Sequence, residues 1–341
     1  LARRVDKPAE ASKNSRKRPA KEVACAPSAA EAFHLHRQAQ AQRARVLGMV
    51  LMPFNADYSI PLRRAPDVRQ ACAEAWGHAN DAAGPSVASL RDLLGLVSAH
   101  EWRKKGVEIA ALGEPPHNRI HPHYGVFSPL RGEYVGLIAK APLPAGAEPI
   151  VAFDIGTGTG VLAALLARRG IRQVVATDQD PRALACARDN LARLGVSGRA
   201  GVSVQVIQAD LFPQGRASLI VCNPPWLPAR PSSSLEGAVY DEGSRMLLGF
   251  LNGLAAHLAP GGEGWLILSD FAEHLGLRSR AELLAAIKGG GLKVLGRLDA
   301  KPQHPKATDA TDPLHAARAL EVTSLWRLAV AGPVMDSAPQ P

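Results

Sequence analysis

The sequence predicts an α/β protein: a mostly parallel sheet with helices on both faces, led by a small helical module. Three observations carry this. Val151-Ala-Phe-Asp-Ile-Gly-Thr-Gly-Thr-Gly160 is a short apolar run that ends in Asp154 and a turn with glycine at 156, 158 and 160. The apolar run Val161 to Ala167 follows at once, so a buried strand leads through a tight turn into a helix. From Ile150 onward, strand-like and helix-like stretches alternate, which is the pattern of a parallel sheet.

Residues 1–28 are rich in Lys, Arg, Ala, Pro and Ser and hold the cluster Arg16-Lys17-Arg18; they read as a disordered basic tail. Residues 29–123 read as a helical N-terminal module with a linking hairpin. Its helices are expected at 29–47, 66–83 and 86–99, the last with the apolar stripe Val87, Leu90, Leu93, Leu94 and Val97. Gly84-Pro85 separates the second helix from the third. Gly106 to Leu112 and Arg119 to Phe127 read as short strands joined by Gly113-Glu114-Pro115-Pro116. The main domain, 124–331, opens with a helix at 129–140. Its strands are expected at 150–155, 173–177, 202–208, 217–222, 264–269, 292–298 and 321–330, and its helices at 159–169, 181–195, 241–258 and 278–289. The last strand follows a long polar loop, 299–319, and is expected to run antiparallel. That loop, with His304, Lys306 and His315, reads either as a substrate gate or as a disordered insertion. Residues 332–341 read as a tail.

The 341 residues are 46% hydrophobic and 21% charged, the balance of a soluble globular chain. No apolar run approaches the roughly 20 residues that span a bilayer, and the first residues hold no apolar signal core; no membrane association is expected. The chain begins at Leu1 rather than Met, so its native start is expected to be missing. Cys25, Cys72, Cys186 and Cys222 are scattered and form no C-x-x-C pair. That speaks against a zinc site or disulfide framework and for a reducing cytoplasm. His117, His121 and His123 lack nearby carboxylate or cysteine partners and read as loop histidines rather than metal ligands. The net charge of +9 is uneven: residues 1–45 hold eleven Lys/Arg against four Asp/Glu, a net +7. Such a tail attracts nucleic acid by neutralising phosphates; a solvated tail with no specific partner is the plain alternative.

The chemistry lies at strand ends. Gly156, Gly158 and Gly160 let the backbone turn sharply and let a ligand touch it. The helix start behind them offers unpaired N–H groups. The dinucleotide pattern G-x-G-x-x-G would need glycine where Val161 stands. Asp178, at the end of the second strand and 24 residues after Asp154, is placed to accept hydrogen bonds from ribose hydroxyls. Asp210 follows the third strand and can take an exocyclic adenine amine, with Leu211 or Phe212 against the ring. Singly, each is an ordinary strand-end acid. Together, they mark the ligand-binding edge of an open α/β sheet.

The sharpest signal is Asn223-Pro224-Pro225-Trp226 at the end of the fourth strand. Two prolines fix φ and remove two N–H donors. They thereby hold two acceptors, the Asn223 side-chain oxygen and the Pro224 carbonyl, in one place. Both can grip the hydrogens of an –NH2 group and orient its nitrogen lone pair. Trp226 can lie flat on the planar group that carries it. The plain alternative is a loop that ends a strand, with Trp226 as core.

This order of motifs resembles the class I S-adenosylmethionine-dependent methyltransferases, in the branch that carries (Asn/Asp)-Pro-Pro-(aromatic), over about residues 124–330. The resemblance implies a Rossmann-like seven-stranded sheet with a reversed last strand and S-adenosylmethionine as cofactor. It implies cofactor contacts from Asp154, Gly156, Thr157, Gly158 and Gly160 in the first motif, from Asp178 and Gln179 near the ribose, and from Asp210 and Leu211 near the adenine. Asn223, Pro224, Pro225 and Trp226 match the catalytic motif, with Asn223 also beside the cofactor. Tyr124-Gly-Val-Phe127-Ser-Pro129 looks like the segment that covers the cofactor in the family's small-domain members, which brings in Phe127. The implied mechanism is alignment of the target nitrogen with an already electrophilic methyl, without a strong base or metal.

Three readings of the acceptor follow. The first is a base of RNA, probed by the basic tail, the N-terminal module and Trp226 as a stacking surface. The second is a protein glutamine: Asp178 to Gly195, the Asn-Pro-Pro run and the N-terminal module resemble release-factor glutamine methyltransferases. That family usually has tyrosine where Trp226 stands, and Leu227 to Tyr240 departs from its pattern. The third is a binding protein that kept the fold and lost the activity, against which the intact motif speaks.

Overall fold

The computed structural model describes residues 27–80, 84–145, 150–196, 201–231, 236–303 and 309–332. The expected tails at 1–26 and 333–341, with Arg16-Lys17-Arg18 and Cys25, lie outside the described residues, as do His304 and Lys306 of the polar loop.

Helix α1 (Ala29–Gly48) starts at a capping box. The Ser28 hydroxyl accepts the Glu31 N–H and the Glu31 carboxylate accepts the Ser28 N–H. Strand β1 (Leu51–Phe54) follows, then helix α2 (Arg69–Trp76), strand β2 (Ser86–Ser89) and helix α3 (Leu90–Lys105). Two expectations need correcting here. The helix expected at 66–83 ends at Trp76, where Gly77 takes a φ of 92°. The helix expected at 86–99 is a strand first: Ser86–Ser89 pairs antiparallel with β1, Val87 against Pro53. The Ser89 hydroxyl then accepts the Asp92 N–H at 3.0 Å, so α3 cannot begin before Leu90. The module has its own core of Phe54, Ile60, Val68, Ala71, Cys72, Leu93 and Leu96.

The linking hairpin is shorter than expected. Strand β3 (Val107–Glu108) pairs with β4 (Arg119–Ile120) over two residues each. The 3₁₀ turn Ala110–Leu112 then carries Leu112 into the main core. Apolar burial there outweighs continued strand pairing.

Helix α4 (Glu133–Lys140) leads into the main domain: β5 (Val151–Ile155), α5 (Val161–Arg168), β6 (Gln173–Asp178), α6 (Pro181–Arg193), β7 (Ser203–Gln208), β8 (Ala217–Cys222), α7 (Arg245–His257), β9 (Leu258–Ser269), α8 (Phe271–His274), α9 (Arg280–Gly289), β10 (Leu292–Ala300), α10 (His315–Leu320) and β11 (Thr323–Val330). The seven strands lie in the order β10-β11-β9-β8-β5-β6-β7. β11 is antiparallel to both neighbours, whereas the β5, β6, β7, β8 and β9 pairings are parallel. The fold is thus the Rossmann-like α/β sheet with a reversed last strand. Of the 299–319 stretch, the described end is not a free insertion, because α10 buries Ala317 and the preceding Leu314 against Phe271 and Leu275.

Residues alternate between two cores, one on each face of the sheet. Ala152, Val174, Leu219, Val221 and Trp265 join the core under α4 and α5. Phe153, Val175, Ile220, Cys222 and Leu266 join the core under α7 and α9. This explains why the central strands read as continuous apolar runs. The strand order reverses between β5 and β8, and ligands in open α/β sheets bind at that reversal, outside the carboxyl ends of the strands.

Candidate active site

Ile155 of β5 pairs with Cys222 of β8 at the carboxyl end of the sheet. The next residues on the two strands are Gly156 and Asn223, so the glycine turn and the Asn-Pro-Pro corner start side by side. Thr177 of β6 pairs with Ile155 from the other side, which places Asp178 beside the same turn.

Gly156, Gly158 and Gly160 take φ of 72°, 55° and 80°, where any Cβ is strained. A Cβ on Gly160 would stand 3.1 Å from Cα and 3.3 Å from the carbonyl oxygen of Ala187, so α5 and α6 close together only without it. A Cβ on Gly156 would run into the Met246 methyl of α7, while nothing lies within 4 Å of the absent Cβ of Gly158. The middle of the turn therefore faces open space.

Asp154 faces the turn from below and is 1% exposed. Its Oδ2 accepts the Thr157 hydroxyl at 2.6 Å and the Ala163 N–H at 3.0 Å. Burial pushes its carboxyl up to about 6, against the pull of those two bonds. The Thr157 N–H is donated to the Thr177 carbonyl at 2.8 Å. Asp154 and Thr157 thus brace the turn from inside. Asp178 is half-buried, and its two oxygens accept the Gly158 N–H at 3.1 Å and the Asp180 N–H at 3.0 Å. Burial raises its carboxyl. Each oxygen keeps lone-pair capacity for a hydroxyl donor.

Gln179 and Asp210 are exposed and are linked by Arg245, which lies 3.5 Å from the Gln179 Oε1 and 3.5 Å from the Asp210 Oδ2. Leu211 takes a φ of 71°, and its carbonyl accepts the Thr177 hydroxyl at 2.6 Å. Phe212 corrects an expectation. Its ring stacks on His257 at 4.3 Å and on Phe250 at 5.8 Å, so α7 holds it and it does not face an adenine.

At the corner, Pro224 is buried and Asn223 and Trp226 are half-buried. The Trp226 indole N–H is donated to the Asn223 Oδ1 at 3.0 Å. An indole nitrogen only donates, so this bond fixes which end of the Asn223 amide points there. The guanidinium of Arg131 lies 5.2 Å over the Trp226 ring. The tryptophan, read from sequence as a stacking surface or as core, packs against both cores and donates to the Asn223 amide. Phe127 rides on a strap along the start of α6: Val126 is buried with Ala183 and Cys186, and Gly125 lies against Arg182. The Phe127 ring is 42% exposed.

Four residues of the site escaped sequence reasoning. Met246 and Arg245 lie far from any motif, and Arg131, two residues past the Tyr124–Pro129 segment, carried no signal of its own. Asp241 left one: an acid shortly before an apolar helix reads as a cap. Its Oδ2 accepts the Met246 N–H at 2.7 Å and so fixes the start of α7 beside Gly156. The three clustered histidines go elsewhere. His117 is exposed, the His121 ring contacts the Arg103 carbonyl, and His123 pairs with Asp189 at 3.2 Å. Among the described residues, no three metal-ligating side chains converge.

The family described as methyltransferase small domain matches residues 118–279, which contain every residue of the turn and the corner. Over 187 residues the chain is 34% identical to the release factor glutamine methyltransferase of Cereibacter sphaeroides, covering 50% of this chain and 63% of that one. Over 89 residues it is 44% identical to the ribosomal protein L11 methyltransferase of Pelotomaculum thermopropionicum, covering 26% of each. Among solved structures, it is similar to a ribosomal protein L11 methylase from Lactobacillus delbrueckii subsp. bulgaricus, with 17% identity, a TM-score of 0.38, and coverage of 55% of this chain and 73% of that one. The chain thus spans less than two thirds of the length of these two curated relatives.

Proposed function

The chain belongs to the small-domain class I S-adenosylmethionine-dependent methyltransferases, and on that premise we propose that it methylates a planar –NH2 nitrogen held at the Asn223-Pro224 corner, with the side-chain amide of a protein glutamine as acceptor. The observation that carries this reading is the pairing of Ile155 with Cys222, which sets the corner beside the glycine turn.

The residues present fit the cofactor. The open space at Gly158 admits a ligand against the backbone, and Asp178 keeps acceptor capacity for ribose hydroxyls. Asp154 and Thr157 hold the turn, Gly156 and Gly160 permit it, and Gln179, Asp210 and Leu211 line the next strand ends. Phe127 lies on the covering strap. The cofactor, when bound, supplies a methyl group on a sulfonium, already electrophilic. The work left to the protein is positional. Asn223 Oδ1 and the Pro224 carbonyl each accept one N–H of the acceptor, which fixes the plane of its –NH2 and aims the nitrogen lone pair, normal to that plane, at the methyl. The same two oxygens stabilise the positive charge that grows on that nitrogen. Pro225 holds the carbonyl direction, and Trp226 holds the Asn223 amide.

Two points favour a glutamine amide over a nucleobase. A base needs a free aromatic face for stacking, worth about 1–3 kcal/mol, and Trp226 has Arg131 over one face and packs against both cores. An amide needs only the grip at its edge. The relative from Cereibacter sphaeroides is also named for glutamine methylation. The net +7 of residues 1–45 favours the second reading, a base of RNA.

Labelled methyl transfer from S-adenosylmethionine into total protein and into total RNA separates the two. The expected product is N5-methylglutamine in digested protein, with activity falling only weakly as salt rises. Label confined to RNA nucleosides, with activity that falls steeply with salt, would replace the glutamine reading by the RNA one.

A further inference from the structure

We propose that Arg131 and Glu321 are positioning residues that keep the Asn-Pro-Pro corner in register by acting through Trp226. The inference rests on the role given above to Asn223 and extends it to two residues far away in sequence.

Glu321, just before β11, is 2% exposed. Its two oxygens accept the two Arg131 Nη groups at 2.9 and 3.0 Å, a fork-to-fork pair. Oε1 also accepts the Ser269 hydroxyl at 2.6 Å, and the Ser269 Oγ accepts the Phe271 N–H at 3.0 Å. The carboxylate is thus anchored to the end of β9, and a two-point pair fixes the guanidinium plane as well as its position. That guanidinium lies 5.2 Å from the Trp226 ring centroid, within cation–π range. The Trp226 indole N–H in turn holds the Asn223 Oδ1 at 3.0 Å. The result is an unbroken line of contacts from β9 and β11 to the acceptor-gripping oxygen. It also leaves the second lone pair of that oxygen for the incoming N–H.

A lysine at 131 would keep the charge but lose the fork and the flat cation. Arg131→Lys and Glu321→Gln in the full chain test the line, with Trp226→Phe to remove the indole donor. The readouts are kcat, KM for S-adenosylmethionine, thermal melting and the Trp226 indole N–H resonance, which is assigned by its loss in Trp226→Phe. We expect Arg131→Lys and Glu321→Gln to lower kcat about ten- to a hundredfold with KM changed by less than about twofold. The Trp226 resonance should shift in both, and Arg131→Lys should have no further effect on kcat in the Trp226→Phe background. Additive effects, an unmoved Trp226 resonance, or parallel loss of melting temperature and cofactor binding in both variants would overturn the proposal. Asn223→Ala distinguishes its failure from that of the site reading. If turnover survives that change, the site reading is wrong even where Arg131 moves the Trp226 resonance.

Discussion

At the scale of single residues, Asp154 shows how the turn is held. Its carboxyl is surrounded by β5, the turn and α5, receives two hydrogen bonds, and still titrates at about 6 rather than at its ordinary 3.8 because burial dominates. The charge of Asp178 raises it further. A carboxyl raised in the folded state binds its proton more tightly there than in the unfolded chain. Its contribution to stability is therefore complete below about pH 4 and is lost as pH rises through about 6. Asp154→Asn removes the titration. The unfolding free energy of the wild type should fall relative to Asp154→Asn between those two values, by about 3 kcal/mol in all, and then stay level. Denaturant unfolding of both proteins from pH 4 to 8 measures this; a difference that is flat across that window contradicts it. The glycines and acids of this site were legible in the sequence because each sits at a strand end with an identifiable backbone task. Trp226 stood out in the sequence as part of the motif, but its contacts did not. Whether an indole N–H finds solvent, substrate or its own Asn223 depends on χ angles that chain spacing does not encode.

At the scale of elements, α1 was legible as a helix from its pattern, with Gln and Arg on a polar face, but its partner was not. The helix does not stay within the N-terminal module. Phe33, 1% exposed, packs with Leu227, Phe271, Leu275, Leu314 and Ala317. Arg37 donates to the Arg230 carbonyl at 2.8 Å and lies 4.0 Å over the Tyr240 ring. Leu227 directly follows Trp226, and the Asp241 N–H bonds back to the Leu227 carbonyl at 2.9 Å. The helix therefore clamps the segment that leaves the Asn-Pro-Pro corner, whose far end caps α7. Phe33→Ala should cost about 3–5 kcal/mol, the usual range for emptying a buried phenylalanine site. It should also lower turnover more than cofactor affinity, because the loosened segment joins the acceptor side. Unfolding and single-turnover rates check this; a stability loss with unchanged turnover would make α1 a structural support alone. The short strand β2 was misread for a related reason. Ser86–Ser89 carries part of a helical apolar stripe, and only the neighbouring β1, unseen in sequence, makes pairing the better outcome.

At the scale of the whole molecule, the topology followed from sequence more completely than the local geometry did. The short run Ala217–Cys222, apolar but for Ser218 and bounded by turn residues, reads as a strand covered on both faces. A right-handed crossover rule then leaves few ways to connect such strands. The reversed β11 brings Glu321 to the carboxyl edge of β9, and the strap before α4 brings Arg131 to meet it. Sequence separations of 190 and 95 residues thus close over one corner, and no local pattern announces such a meeting. Under the proposed reading, β5, β6 and β7 supply the cofactor side, and β8 with the segment packed under α1 supplies the acceptor side. The corner at Asn223 lies where the two sides join.

The most direct test of this account is Asn223→Ala, assayed for methyl transfer to the acceptor fraction alongside calorimetric affinity for S-adenosylmethionine. Turnover should fall about a hundred- to a thousandfold, with cofactor affinity changed by less than about twofold. Methyl transfer at the wild-type rate, or loss of cofactor binding in proportion to loss of turnover, would contradict an acceptor nitrogen held by that side chain.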